Sequence, residues 1–487
     1  MTSSSTMELV FIPTPGMGHL LSTVNMAKLI LQRDHRFSIF ILVINFPMSF
    51  STLSAFIQSQ KRENQYPTRL IFHTLPPLSN SPDPSSPAFF QTYLDLQKPL
   101  IKHAIEERIR SGSPKLSGLI LDMFCLDMSY IADEFQVPWY VFYTSGANLM
   151  NVLLHFQSMA DDEGVDIFTQ FENPDTEFVI PGFVNRLRAK NFPASLVDKE
   201  RGSTVSLKLA RGLRKSKGIL INTFVELETI GTDALFDLVA NGSIPPVYPV
   251  GPILELGKNS TSGSHQDYMS IMKWLDDQPC SSVVFLCFGS MGSFDADQVK
   301  EIANGLEKSG YRFLWSLRKP PPEGKFAKPS EDGTFEDALP EGFMDRTAER
   351  GKIIGWAPQV SILEHSAIGG FVLHCGWNST LESLWFGVPM ATWPLYAEQQ
   401  LNAFSLVKEL GLAVEIRMDY RRDFKTFKAN FQVSAEEVEY GVRRLMCMDD
   451  EARKRVKEIR EKSRKALEDG GSSYKSLGIF IQDIVSN

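Results

Sequence analysis

The 487-residue chain has little of what would mark a nucleic-acid, membrane or disulfide-built protein. It has no basic surplus. Its 50 Lys and Arg against 58 Asp and Glu leave a net charge of −8, whereas binding dominated by nucleic-acid phosphates needs a positive face. The five cysteines, Cys125, Cys280, Cys287, Cys375 and Cys447, are odd in number, scattered, and form no C-x-x-C. That argues against a disulfide framework or a structural zinc site. The longest apolar run, 37–46, is strand length and half a membrane span. The opening M-T-S-S-S-T-M-E-L-V-F-I-P lacks the basic and apolar regions of a secretory leader, so a cytoplasmic location is expected. Neither half carries G-x-G-x-x-G, which removes the main signal for a nicotinamide- or flavin-dependent oxidoreductase.

What is present is a globular composition, 43% hydrophobic and 22% charged, in a chain too long for one ordinary core. Short apolar runs at 7–13, 37–46, 69–75, 118–122, 139–143 and 218–224 alternate with amphipathic stretches. After a Gly/Ser-rich break at 251–266 the rhythm restarts at 282–288, 313–317, 352–355, 370–374, 388–393 and 412–416. Alternating strands and helices predict α/β architecture, two doubly wound parallel sheets, with a domain at 1–250, a linker at 251–266 and a second domain at 267–471. The Pro-rich stretch 318–340 reads as a surface loop. In such sheets ligands bind outside the carboxyl ends of the strands, and a cleft between the halves is the default active site.

In the first half, P-T-P-G-M-G-H at 13–19 follows the first strand. Gly16 and Gly18 allow close backbone approach to a ligand, and His19 is placed to act as a general base or simply to open a helix. Asp122 closes the strand G-L-I-L-D, where it either orients a histidine or caps the next helix. In the second half, F-G-S-M-G-S at 288–293 offers amides and the Ser290 hydroxyl to a phosphate, or is an ordinary Gly-Ser turn. The adjacent Asp295 and Asp297 read as helix-start residues, not metal ligands. G-F-V-L-H-C-G-W-N-S-T-L-E at 370–382 places His374, Gly376, Trp377 and Asn378 at one helix mouth. Ser379 and Glu382 also fit a capping box. W-A-P-Q at 356–359 and Y-A-E-Q-Q at 396–400 add a flat aromatic face and the paired acceptor and donor that sugar hydroxyls want.

Residues 356–399 resemble the complete 44-residue signature box of plant family 1 UDP-dependent glycosyltransferases, and the similarity extends over essentially the whole chain. D-M-F-C and W-F-G-V-P-M-A-T-W-P-L-Y-A-E-Q-Q-L-N-A-F resemble the subgroup acting on flavonoids, other phenolics and triterpenes. The resemblance implies the GT-B fold, two Rossmann-like domains facing across a cleft, with a last helix at about 472–487 returning to the first domain. It implies His19 as general base and Asp122 as its charge-balancing partner. Trp356 would stack on uracil, with Ala357 and Gln359 holding the base and ribose and Glu382 binding ribose hydroxyls. Ser290, His374, Gly376, Asn378 and Ser379 would hold the diphosphate, while Trp377, Glu398 and Gln399 would read the sugar, with Gln399 matching members that favour glucose.

The expected activity is inverting transfer of glucose from UDP-glucose to a hydroxyl of a small apolar plant metabolite, without metal or other cofactor, by a monomer. Gly18, Phe124, Phe142 and Tyr396 are the acceptor-pocket candidates, with Tyr143, Phe183 and Phe192 as further aromatics on the first domain's side. The alternatives are a sugar-elongating transferase acting on a glycoside and a non-catalytic UDP-sugar-binding protein.

Overall fold

The computed structural model describes residues 6–47, 50–83, 86, 88–197, 202–256, 265–321, 329–330, 336–422 and 429–486. The centre of the Gly/Ser-rich break, 257–264, and the greater part of the Pro-rich stretch, 322–328 and 331–335, lie outside the described residues.

The strands in chain order are β1 (Met7–Ile12), β2 (Phe37–Val43), β3 (Leu70–Thr74), β4 (Lys115–Asp122), β5 (Trp139–Tyr143), β6 (Glu177–Phe178), β7 (Leu187–Arg188), β8 (Ile219–Ile221), β9 (Val247–Pro249), β10 (Val283–Cys287), β11 (Arg312–Ser316), β12 (Gly351–Ile354), β13 (Ile368–Leu373), β14 (Met390–Thr392) and β15 (Ala413–Glu415). They form a seven-stranded sheet in the order β3-β2-β1-β4-β5-β8-β9 and a six-stranded sheet in the order β12-β11-β10-β13-β14-β15. Every pairing in both is parallel. Strands such as F-S-I-F-I-L-V and V-V-F-L-C are buried along their whole length, as expected for parallel sheets covered on both faces. The predicted α/β class is the one observed.

The chain divides into two compact units. The first comprises Met1–Val165, Thr204–Glu255 and Lys465–Asn487, and the second comprises Asp166–Ser203 and Leu256–Arg464. The helix Ser472–Val485 belongs to the first unit because Leu477, Phe480, Ile481 and Ile484, spaced i, i+3, i+4, i+7, enter its core. Burial of each stabilises the unit by roughly 1.5–3 kcal/mol. Tyr248 donates to Asp483 at 2.5 Å on the same helix.

Residues Asp166–Ser203, which the sequence reading leaves in the first domain, contact the second unit. Phe171, Phe178 and Phe192 form a small aromatic core around the β6–β7 hairpin. Arg421 donates to the carbonyls of Lys190 and Phe192, and the Glu409 carboxylate accepts from the amides of Val184 and Asn185. No local pattern announces this, because each bond joins positions more than 200 residues apart in the chain.

Candidate active site

In the first unit three adjacent strands deliver side chains to one rim. The register pairs Ile12 with Leu121 and Asp122 with Phe142, so the carboxyl ends of β1, β4 and β5 lie side by side. The helix Met17–Arg33 follows β1 with Gly16 as its N-cap, which puts His19 in the first turn. There His19 Nδ1 lies 2.7 Å from Asp122 Oδ2, and Thr144 Oγ1 lies 3.1 Å from the same nitrogen. A carboxylate only accepts, so Nδ1 carries the hydrogen and Nε2 the lone pair.

Asp122 is 2% exposed. Its other oxygen accepts from Thr14 Oγ1 at 2.5 Å and from the Phe124 amide at 3.1 Å. Asp122 is not the N-cap of the next helix, which starts after Cys125 without a side-chain cap; one oxygen fixes the turn after β4 and the other meets the histidine. The His19 imidazole keeps 28% of its side-chain surface exposed, and the ring of Phe124 meets it edge-on at 5.6 Å.

Beside this loop lies an apolar recess of about 280 Å³, counted to its open mouth, walled by Pro15, Gly16, Val43, Ile44, Phe46 and Leu53 among others. The acceptor candidates from the sequence do not line it. Phe124 is exposed, but Phe142 is 1% exposed and packs in the sheet's core, which removes it as a pocket residue. Tyr143 is equally buried. Gly18 accepts a hydrogen bond from Ser22 through its carbonyl. Phe183 packs against Phe404 and Phe192 is in the small aromatic core, both in the second unit and not the first.

In the second unit Ser290, Trp356–Gln359, His374–Glu382 and Glu398–Gln399 follow β10, β12, β13 and β14. The helix Trp377–Phe386 starts with Gly376 as N-cap, and glycine brings no side-chain cap of its own. This corrects the capping-box reading. Ser379 Oγ instead accepts from Gln359 Nε2 at 2.9 Å, and the same nitrogen donates to Glu382 Oε2 at 2.5 Å. Burial pushes the Glu382 carboxyl up to about 7, against the pull of the Gln359 amide. Ser379 and Glu382 thus have no capping role that would account for them.

His374 is wedged between two glycines. A Cβ on Gly289 would approach His374 Nε2 to 2.3 Å, and one on Gly376 to 2.5 Å. Burial, and then the charge of Arg318, hold the imidazole down at about 3, so it is neutral near pH 7. It can donate one hydrogen bond to an anion but brings no charge. Cys375 (φ 62°) and Ala397 (φ 55°) adopt the left-handed region without being glycine, at roughly 1–3 kcal/mol each. Asn402 holds the first by donating to the Cys375 carbonyl at 2.9 Å. Gln399 holds the second, its Oε1 accepting from the amides of Leu395 and Tyr396, so its NH₂ end is what it offers a ligand. Trp377 is buried with its helix, and the buried Trp356 Nε1 has no protein partner among the described residues. Ala357 is 6% exposed and leaves chiefly backbone to contact. Asp295 accepts from the Gln298 amide as an N-cap, and among the described residues no group of three or more His, Cys, Asp or Glu is placed to hold a metal ion.

Sequence reasoning missed Thr14, Thr144, Arg318 and Asn402. The first three each follow a strand's carboxyl end, the position that carried the other assignments, and Thr14 stands inside the motif at 13–19.

The fold and these two rims define a two-sheet nucleotide-sugar enzyme, and comparison with known proteins agrees. Residues 264–426 match the UDPGT family model, UDP-glucoronosyl and UDP-glucosyl transferase. The chain is 50% identical to UDP-glycosyltransferase 71A15 of Malus domestica, covering 98% of this chain and 99% of that one. It is 48% identical to UDP-glucose flavonoid 3-O-glucosyltransferase 6 of Fragaria ananassa, covering 98% of each. The crystal structure of Medicago truncatula UGT71G1 complexed with UDP-glucose superimposes with a TM-score of 0.85 at 40% identity over 99% of both chains. The chain belongs to the UDP-glycosyltransferase family of plants. It is a UDP-dependent glycosyltransferase with the GT-B fold.

Proposed function

We propose that the protein transfers glucose from UDP-glucose, with inversion, to a hydroxyl of a small apolar plant metabolite such as a flavonoid, another phenolic or a triterpenoid. The observation that carries this reading is the 2.7 Å contact of His19 with the buried Asp122, which a merely UDP-sugar-binding protein would not need. The acceptor O–H gives its proton to His19 Nε2 while its oxygen forms a bond to the anomeric carbon. The bond from that carbon to the β-phosphate oxygen breaks, and its electron pair leaves with UDP. Asp122 stabilises the imidazolium that results.

Trp356, Ala357, Gln359 and Glu382 hold uridine in this reading. Ser290, His374, Gly376, Asn378 and Ser379 hold the diphosphate, and Trp377, Glu398 and Gln399 the sugar. Binding a nucleotide sugar between fixed amides at helix ends does not need a basic protein, so a net charge of −8 is no obstacle. The apolar recess beside Gly16 favours an apolar acceptor, with Phe124 against the imidazole and Gly18 and Tyr396 as further candidates at the acceptor. Among the described residues no helix is long and apolar enough to cross a membrane, and the reading includes a cytoplasmic monomer. The test is an acceptor panel with UDP-glucose, scored by product mass, regiochemistry and UDP release. Absence of any glucoside with phenolic and triterpenoid alcohols would sink the acceptor class.

A further inference from the structure

Two guanidiniums grip the turn that follows β10. Arg318, 6% exposed, donates to the carbonyls of Ser290 at 2.9 Å and Gly292 at 3.2 Å, and also to that of Gly289. Arg422, 5% exposed, donates to the carbonyl and hydroxyl of Ser293. In a trans peptide the C=O and the following N–H point in opposite directions. With the carbonyls of Gly289, Ser290 and Gly292 drawn to one guanidinium, the amides of Ser290, Met291 and Ser293 are turned the other way. None of the three donates to an acceptor among the described residues.

All of Arg318's hydrogen bonds go to backbone carbonyls, and among the described residues no carboxylate pairs with it. A buried charge is ordinarily matched by an opposite one. The missing partner is supplied if an anion arrives with the ligand. His374 abuts the same turn but is neutral near pH 7, so the fixed charge there is Arg318's.

We infer that Arg318 is a positioning residue for the departing diphosphate: it locks the Gly289–Gly292 turn with its amides outward and supplies the positive charge behind them. This rests on the reading of that turn and His374 as the diphosphate seat. As the bond from the sugar to the β-phosphate oxygen breaks, negative charge grows on UDP. A pre-organised charge stabilises that state more than the bound donor.

The test compares the full-length wild type with R318K, which keeps the charge but cannot fork across three carbonyls, and R318Q, which keeps donors without charge. Calorimetry measures uridine and UDP binding, and turnover is measured with UDP-glucose. Uridine affinity is expected to stay within about twofold in both variants, while R318Q loses about tenfold or more of the preference for UDP and about 10- to 100-fold in kcat. R318K is expected to keep most of that preference and recover most of the kcat. Equal losses in R318K and R318Q would overturn the inference, because they would make the arginine only a clamp. Should R318Q fail to fold, R318K decides alone: loss of the UDP preference in a normally melting R318K overturns the charge role. If the wild type itself binds UDP no more tightly than uridine, the diphosphate-seat reading fails and takes the inference with it.

Discussion

Asp122 Oδ2 lies 2.7 Å from Nδ1 of His19, although 103 positions of chain separate them. The contact selects the imidazole tautomer whose Nε2 carries the lone pair, and in the proposed reaction the buried carboxylate would offset the charge of the imidazolium. Thr14 and the Phe124 amide hold the other carboxylate oxygen, so the acid cannot rotate away.

His19→Ala should lower kcat by about three orders of magnitude or more, with UDP affinity within about twofold of wild type. Asp122→Asn should cost about 10²–10⁴ in kcat by disfavouring the tautomer. Thr14→Val should cost less, about three- to tenfold, since one hydrogen bond is worth about 1 kcal/mol. Steady-state kinetics beside UDP calorimetry checks the series, and full activity in His19→Ala would remove the general-base assignment.

Gly289 and Gly376 have no room for a methyl group. Gly289→Ala would place Cβ 2.3 Å from His374 Nε2 at a φ of +73°, and Gly376→Ala would place it at 2.5 Å. Each should weaken UDP binding by about tenfold or more while leaving uridine binding nearly unchanged, and each should destabilise the unit by about 1–3 kcal/mol. Gly289→Ala should be the worse of the two, because it adds backbone strain. Paired calorimetric titrations with thermal melting would test the order.

Glu382 links folding to pH. Its carboxyl, pushed up to about 7 by burial, stays protonated in the fold over a range where the unfolded chain has already ionised. Its contribution to stability is therefore fully present below the ordinary carboxylate range and declines as pH rises through about 7. Part of the side chain remains exposed, so the loss is on the order of 1–2 kcal/mol, below the full value of the shift. Glu382→Gln should flatten the difference between urea midpoints at pH 5 and pH 8. An identical pH difference in the variant would show that the carboxyl is not responsible.

The strands of both sheets were legible as apolar runs punctuated by Gly, Pro and Asn, except β9, whose three residues Val247–Pro249 are too short and too close to a proline pair to stand out. The residues proposed for the donor side were picked out in sequence because they stand just after strands. The capping box at Ser379–Glu382 was misread: the pattern was present, but the helix begins two residues before Ser379, at Trp377, and Gln359 takes both side chains. Phe142 was misread because an aromatic near a strand's end looks the same in sequence whether its ring faces the core or a pocket.

The sequence by itself determined the class of fold and the family, and placed the candidate rim residues just after strands, because local periodicity and strand-end motifs are short-range information. Tertiary structure decided the rest. It joined His19 to Asp122 and Thr144, seated Arg318 under the turn at Gly289, and carried Asp166–Ser203 into the second unit. Each of these depends on strand order and on the burial of charged or aromatic groups against distant backbone. Such contacts become favourable only when the sheets have assembled and water has left, so no window of sequence contains them.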